Sequence, residues 1–322
     1  MFPPKDRITI LFAHAAYQMK ACFDALGNGI RNIEVRDADA FRQAVGDADV
    51  VVVSGMWSND LLEHAPKLKF IQSISSGTNQ YDLEALRARG IRLASAQGVN
   101  ANAVSEHAMS LVLAMARRLP EARDNQHARH WRPMMGDFAK REDELGGKTL
   151  LVVGLGRIGG RLARLARAFD MHVIGVRRDP AAGSGDADSV HALAELPDLL
   201  PRADFVALTC PLTDATRGII DAQALGRMKR TAYLINVARG GCVNENELIA
   251  ALQQRRIAGA ALDTTEQEPL PAASPLWDMP HVFITSHLGG ETHRYEPNVL
   301  EILMENLERL WRGESALRNQ VV

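Results

Sequence analysis

The stretch LLVVGLGRIGGRLARLARAF, residues 150–169, decides the fold. Leu150–Val153 is a short, unbroken apolar run, as expected for a strand buried on both faces. Gly154, Gly156 and Gly159 follow as G-x-G-x-x-G, and the residues from Ile158 to Phe169 have helical spacing. A second apolar run, Val173–Val176, completes a strand–helix–strand unit. A glycine triplet alone is a weak signal, but between a strand and a helix it has a physical reason. Gly154 permits the tight turn, Gly156 lets backbone approach a pyrophosphate, and Gly159 lets the helix lie close to the strand. The helix start then offers N–H groups and the positive end of a dipole to the anion. Gly154, Gly156, Arg157, Ile158 and Gly159 are therefore the expected contacts of a dinucleotide.

Outward from this unit the same pattern recurs. Short apolar runs lie at Ile8–Phe12, Val50–Val53, Phe70–Ile74, Ile91–Ala94, Phe205–Leu208, Tyr233–Val237, Ala258–Leu262 and Val282–Thr285, most of them separated by helical spacing. Strand–helix alternation along the whole chain means an α/β fold with parallel sheets. Two longer helices are expected. One runs from about Asn102 to Arg118, with Ala108, Leu111, Val112, Met115 and Leu119 on one stripe; the other runs from about Tyr295 to Arg312. Each follows a loop of small residues, Ala94–Ala103 and Leu288–Thr292, where the chain is expected to cross between domains. Residues 100–288 then form a dinucleotide domain inserted in a substrate domain of residues 1–99 plus 289–322. Residues 183–188 read as an exposed turn and 131–143 as an irregular excursion.

Composition excludes several classes. The chain has 322 residues, 37 Lys and Arg against 39 Asp and Glu, hence 37 − 39 = −2, and no basic footprint for nucleic acid. No apolar run approaches the roughly 20 residues that span a bilayer. Lys5 and Arg7 before Ile8–Ala13 imitate an export signal, but the apolar part is too short and reads as a first strand. Cys22, Cys210 and Cys242 are too few and too scattered for a disulfide framework, which suggests a reducing, cytoplasmic setting. His127 and His130 could share a helix face, yet no further ligand follows at metal-site intervals, so no metal is expected.

Cofactor choice is read at the tip of the second strand, where NAD sites place an acidic residue on the ribose. Here Val176 is followed by Arg177 and Arg178; Asp170 comes too early and Asp179 too late, in a turn beside Pro180. Two guanidiniums suit a 2′-phosphate. NADP is expected, with NAD as the alternative.

Further motifs carry a family resemblance. GVNANAVSEHAMSLVLAMAR (98–117), the glycine loop, CPLT (210–213), LINVARGGCVNENELIAAL (234–252), ALDTTEQEPLP (261–271) and ITSHLGG (284–290) resemble the D-isomer-specific 2-hydroxyacid dehydrogenases. The likeness is weaker over residues 1–95, where SSGTNQYDL (75–83) resembles the family's carboxylate-binding loop. Asn79, Ser286 and Thr264-Thr265 depart from the family's common residues.

The resemblance implies two Rossmann-like or flavodoxin-like parallel-sheet domains, a site in their cleft, and a homodimer with the first crossover helix at its interface. It also implies a catalytic set. Arg239 clamps the carboxylate and keto oxygen of a 2-oxo acid, His287 is the general acid and base, and Glu268 beside it favours the imidazolium. Asp263 contacts the nicotinamide carboxamide; Val237 and Ala238 line the ring; Pro211 and Thr216 lie toward the adenosine, and Gly289 and His287 also face the cofactor. Backbone N–H groups of Ser76 and Gly77 bind the substrate carboxylate, and Met56 and Trp57 form a pocket wall. The implied reaction is reversible hydride transfer between NAD(P)H and a small 2-oxo acid, of the glyoxylate/hydroxypyruvate type. The rival readings are a dehydrogenase of larger 2-oxo acids and a dinucleotide-sensing, corepressor-like binding protein.

Overall fold

The computed structural model describes residues 2–322. Among these the chain separates into two compact units, one of residues up to Asn100 together with Thr292–Val322, the other Ala101–Glu291.

The first unit holds β1 (Thr9–Ala13), β2 (Arg31–Val35), β3 (Val50–Val53), β4 (Phe70–Ser73) and β5 (Arg92–Ala94). They form a parallel sheet in the order β2-β1-β3-β4-β5. The period of two along each strand splits its side chains between two cores. Ile10, Phe12, Val50, Val52 and Phe70 pack on one side, with Val299, Ile302, Leu303 and Leu307 of the helix Tyr295–Trp311. Leu11, Ala13, Val51, Val53 and Ile71 pack on the other, with Phe41, Leu62 and Leu86. The C-terminal tail closes the β5 edge: Val321 N donates to Leu93 O at 2.7 Å, and Ala94 bridges Gln320. Such cover keeps a bare edge from pairing with another chain.

The second unit holds β6 (Thr149–Val153), β7 (His172–Val176), β8 (Ser189–His191), β9 (Phe205–Leu208), β10 (Tyr233–Asn236), β11 (Gly259–Leu262) and β12 (Val282–Ile284). Their order is β12-β11-β10-β9-β6-β7-β8, again all parallel. The winding direction reverses between β6 and β9, so the loops after these two strands flank the switch point of a doubly wound sheet. Val104, Ala108, Leu111, Val112 and Met115 of the helix Ala101–Ala116 share a core with Leu162, Ala163 and Ala166 of the helix Arg157–Arg167.

Three details differ from the sequence expectation. β2 and β8 join the strands read from apolar runs, and both are edge strands with half-exposed side chains, so neither needs a continuous apolar run. The first long helix stops at Ala116: Arg118 is left-handed (φ 53°), and a new helix, Leu119–His127, starts with proline in its first turn. Leu119 is consequently 52% exposed and does not belong to the buried stripe. His130 lies beyond the end of that helix, after the left-handed Arg129, so His127 and His130 do not share a helix face.

Candidate active site

Arg239, Glu268 and His287 follow β10, β11 and β12, three adjacent strands, at the same end of one parallel sheet. The glycine loop follows β6 at that same end, where ligands of doubly wound sheets sit.

The glycine loop is shaped by close approach. Gly154 has φ 106°, and a Cβ there would lie 2.5 Å from Cys210 N, in the loop after β9. A Cβ on Gly159 would lie 2.3 Å from Gly154 O and 2.7 Å from Thr209 Oγ1. The Thr209 hydroxyl in turn donates to Gly154 O at 2.8 Å, a brace that no sequence motif signals. Around Gly156, by contrast, a Cβ would meet nothing within 4 Å. Its glycine answers no demand from the protein interior, which fits a position kept bare for a ligand. No side chain caps the helix that starts at Arg157, and Ile158 is half-buried in its first turn. A pyrophosphate suits such a helix start.

At the tip of β7, Arg177 donates through Nη1 to Gly183 O at 3.1 Å, and Arg178 is exposed, with no hydrogen bond or ion pair among the described residues. Asp179 accepts from Ala181 N at 3.0 Å and is used as the cap of its own turn. In the loop after β9 Pro211 is exposed, while Thr216 is buried, its hydroxyl donating to Pro211 O at 2.6 Å and accepting from Thr213 N at 2.8 Å. Thr216 thus builds the turn that presents Pro211.

The loop carrying Arg239 is set by Asn236, a buried residue to which the sequence alone assigns no role. Its Oδ1 accepts from Ala238 N at 3.0 Å and its Nδ2 donates to Arg239 O at 3.1 Å. Val237 and Ala238 are buried, and Arg239 is exposed, with Nη1 donating to Ala238 O at 2.7 Å. A Cβ on Gly240 would come within 1.9 Å of Thr265 O, so only glycine lets this loop lie against the one that carries Glu268. Thr265 N then donates to Glu268 Oε1 at 3.2 Å. The other carboxylate oxygen, Oε2, lies 2.7 Å from His287 Nδ1. Both side chains of this pair are partly exposed.

His287 has a left-handed backbone (φ 56°), and its N–H donates to Asp263 O at 2.8 Å. The Asp263 side chain, 3% exposed, bonds residues on either side of that histidine. Its Oδ1 accepts from Thr285 Oγ1 at 2.6 Å and Leu288 N at 2.9 Å, and its Oδ2 from Gly289 N at 3.0 Å. His107 Nε2 lies 3.2 Å from Oδ1. Burial by itself raises this carboxyl, but the hydrogen bonds from His107, Thr285 and Gly289 win and hold it down to about 2. Oδ2 has a single protein donor, which leaves it one acceptor position. Gly289 is buried, and a Cβ there would strike Asp263 Oδ2 at 2.8 Å.

Two cysteines far apart in sequence also meet here. Cys210 and Cys242 are buried free thiols close enough to interact, which raises Cys210 and lowers Cys242.

In the first unit, Ser76 and Gly77 are exposed in the loop after β4, and neither backbone N–H has a partner among the described residues. Trp57 is a core residue: its ring packs at 6.4 Å from Phe41 and 5.6 Å from Tyr81, and Nε1 donates to Asn59 Oδ1. Of the two residues expected at a pocket wall, Met56, half-buried, is the more accessible. Among the described residues no three His, Cys, Asp or Glu side chains group where they could hold a metal ion, and no helix is long and apolar enough to cross a membrane.

Known proteins resemble this chain in sequence and fold. The family profile described as D-isomer specific 2-hydroxyacid dehydrogenase, NAD binding domain, matches residues 109–289. D-3-phosphoglycerate dehydrogenase of Methanocaldococcus jannaschii is 38% identical over 279 residues, 85% of this chain and 52% of that protein, so the match spans about half of that relative's length. Glyoxylate/hydroxypyruvate reductase B of Yersinia enterocolitica is 37% identical over 269 residues, 83% of this chain and 81% of the relative. A crystal structure of a D-isomer specific 2-hydroxyacid dehydrogenase family protein from Aeromonas salmonicida superposes with a TM-score of 0.83 at 28% identity, over 98% of this chain and 99% of that one. The chain belongs to the D-isomer-specific 2-hydroxyacid dehydrogenase family, oxidoreductases that use a nicotinamide dinucleotide on small 2-hydroxy and 2-oxo acids.

Proposed function

We propose that this protein reduces a small 2-oxo acid of the glyoxylate/hydroxypyruvate type to the D-2-hydroxy acid, with NADPH preferred. The observation that carries the reading is the Glu268–His287 pair at 2.7 Å, held on strand ends adjacent to the one that carries Arg239. Glu268 holds Nδ1 of His287, which leaves Nε2 to give a proton to the carbonyl oxygen as it becomes an alkoxide. Arg239 spends one N–H on Ala238 O and keeps its other donors for the carboxylate and keto oxygen. In the first unit, Ser76 and Gly77 offer open backbone donors of the kind a carboxylate accepts from. The bound dinucleotide supplies the hydride; the chain's own residues bind, orient and protonate the substrate.

Preference for NADPH is supported by the uncommitted Arg178 guanidinium, by Arg177 beside it, and by Asp179, whose carboxylate is used in its own turn. The choice of substrate class is supported by the glyoxylate/hydroxypyruvate reductase relative.

Two further readings complete the proposal. The protein is a homodimer: Trp131, Met134 and Phe138 are 95%, 100% and 83% exposed in one short excursion after the crossover helices, an apolar surface that a second copy would cover. It is cytoplasmic, a reducing setting in which Cys22, Cys210 and Cys242 stay free thiols.

The test is NADPH oxidation with glyoxylate, hydroxypyruvate, 3-phosphohydroxypyruvate, pyruvate, 2-ketoisocaproate and phenylpyruvate in parallel, with chiral analysis of the glycerate formed from hydroxypyruvate and of the other chiral products, glycolate being achiral. Highest kcat/KM for the first two, and a D product, is expected. Turnover confined to the larger acids, or an L product, overturns the substrate or stereochemical reading; a mass of one chain in solution overturns the dimer.

A further inference from the structure

His107 takes no part in the proton transfer described above, yet it sits where three elements of the site meet. It lies on the helix Ala101–Ala116, partly buried, one position before the fully buried Ala108. Its Nε2 is 3.0 Å from Thr285 Oγ1 and 3.2 Å from Asp263 Oδ1. The Thr285 hydroxyl proton is already given to Asp263 Oδ1 at 2.6 Å, so toward His107 both oxygens act only as acceptors. Nε2 must therefore carry a hydrogen and donate it to them. Gly289 completes the contact: a Cβ there would lie 3.1 Å from His107 Cδ2.

We infer that His107 is a positioning residue for His287, acting through the Asp263 carboxylate. The route is an unbroken chain of hydrogen bonds. His107 and Thr285 hold the Asp263 side chain in one orientation; that side chain receives the N–H groups of Leu288 and Gly289; and the Asp263 carbonyl receives the N–H of His287. Both sides of His287 are thereby tied to one aspartate. A non-glycine residue resists a left-handed backbone by roughly 1–2 kcal/mol, so the φ of 56° at His287 depends on such outside restraint. Without the His107 donor, Asp263 keeps Thr285 and its backbone partners but loses one of the two side-chain donors that hold its orientation. The imidazole of His287 would then sample positions away from the keto oxygen, and small displacements of this kind cost rate rather than binding.

The inference rests on the reading of His287 as proton donor, and the test separates the two. His107→Leu and His107→Gln are compared with the wild type; the glutamine amide can still donate toward Asp263, and leucine cannot. Two quantities are read: amide hydrogen exchange of residues 285–291, and kcat and KM for the 2-oxo acid and for the dinucleotide. In His107→Leu exchange over 285–291 should speed up while other segments stay as in the wild type. Its kcat should fall roughly tenfold to a hundredfold with KM for the dinucleotide unchanged. His107→Gln should recover most of both. Wild-type exchange in the leucine variant, faster exchange with unchanged kcat, or equal losses in the two variants would each overturn the inference. A wild-type protein that turns over no 2-oxo acid defeats the functional reading alone, because the exchange comparison still reports on the clamp.

Discussion

The loops at the strand ends of the two units are built on opposite principles. In the second unit they are closed on themselves. Gly154 abuts Cys210, Gly240 abuts Thr265, Asn236 bonds both sides of its own turn, and Asp263 gathers donors from Thr285, Leu288 and Gly289. In the first unit the loop after β4 leaves the N–H groups of Ser76 and Gly77 open, and nothing lies within 4 Å of a Cβ on Gly77. The loops that carry the proposed proton donor and guanidinium clamp are over-determined, as preorganised catalysis requires. The loop proposed to receive an anion is left with unmet hydrogen-bonding capacity that a carboxylate can satisfy.

The largest effect should come from the closed side. His287→Asn retains a residue type that tolerates the left-handed backbone but removes the proposed proton donor. Its kcat should fall roughly 10²–10⁴-fold, with dinucleotide affinity by fluorescence titration and thermal stability nearly unchanged. A rate within a few-fold of wild type would show that the ordered loop serves binding rather than proton transfer.

The contrast between the two kinds of loop is sharpest in a pair of glycine substitutions. Gly240→Ala forces a Cβ to within 1.9 Å of a backbone carbonyl and should destabilise by about 3 kcal/mol, the upper end of overpacking costs, unless the loops separate. Separation would show instead as loss of activity. Gly77→Ala meets open space and should leave stability to denaturant nearly unaltered, with any change confined to KM for the 2-oxo acid. Equal losses of stability in the two variants would dissolve the distinction.

A further effect is read in acid. The Asp263 carboxyl is held at about 2 in the folded protein against an ordinary 3.8. A group lowered on folding stabilises at pH values above its unfolded value and loses that contribution as pH falls through the folded one. The wild type should therefore lose about 2 kcal/mol relative to Asp263→Asn between pH 5 and pH 2, measured by denaturant titration at each pH. A constant gap between the two proteins would mean that the carboxylate is not so restrained.

The same division explains how much the sequence discloses. Strands buried on both faces, such as Val50–Val53 and Phe205–Leu208, are unbroken apolar runs and can be read directly. The edge strands β2 (RNIEV) and β8 (SVH) need one buried face at most, and their composition resembles that of a loop. Glycines at close approaches are legible because no other residue fits, whereas the residue opposite each one is not: nothing in the sequence pairs Gly240 with Thr265 or Gly154 with Cys210. His107, Thr209 and Asn236 are invisible as site residues for the same reason, since each acts through a partner 55 to 178 positions away or through its own turn. Trp57 shows the converse case, because a large aromatic beside a strand end suits a pocket wall and a core equally, and only the structure reveals its packing against Phe41 and Tyr81.

The smallest effect concerns a feature that neither kind of loop accounts for. Arg178 is exposed at the tip of β7 with no partner among the described residues, while its neighbour Arg177 is tied to the Gly183 carbonyl. A free guanidinium costs the fold nothing to remove, so Arg178→Ala should leave stability unchanged. If it holds a 2′-phosphate, kcat/KM for NADPH should fall about tenfold, the value of one charge-assisted hydrogen bond in a solvated site, and kcat/KM for NADH should not move. Arg177→Ala should cost NADPH less selectively, because loosening Gly183 disturbs the turn for both dinucleotides. Equal losses for NADPH and NADH in Arg178→Ala would reduce that arginine to a surface charge. The preference for one dinucleotide would then have to come from the shape of the loop after β7.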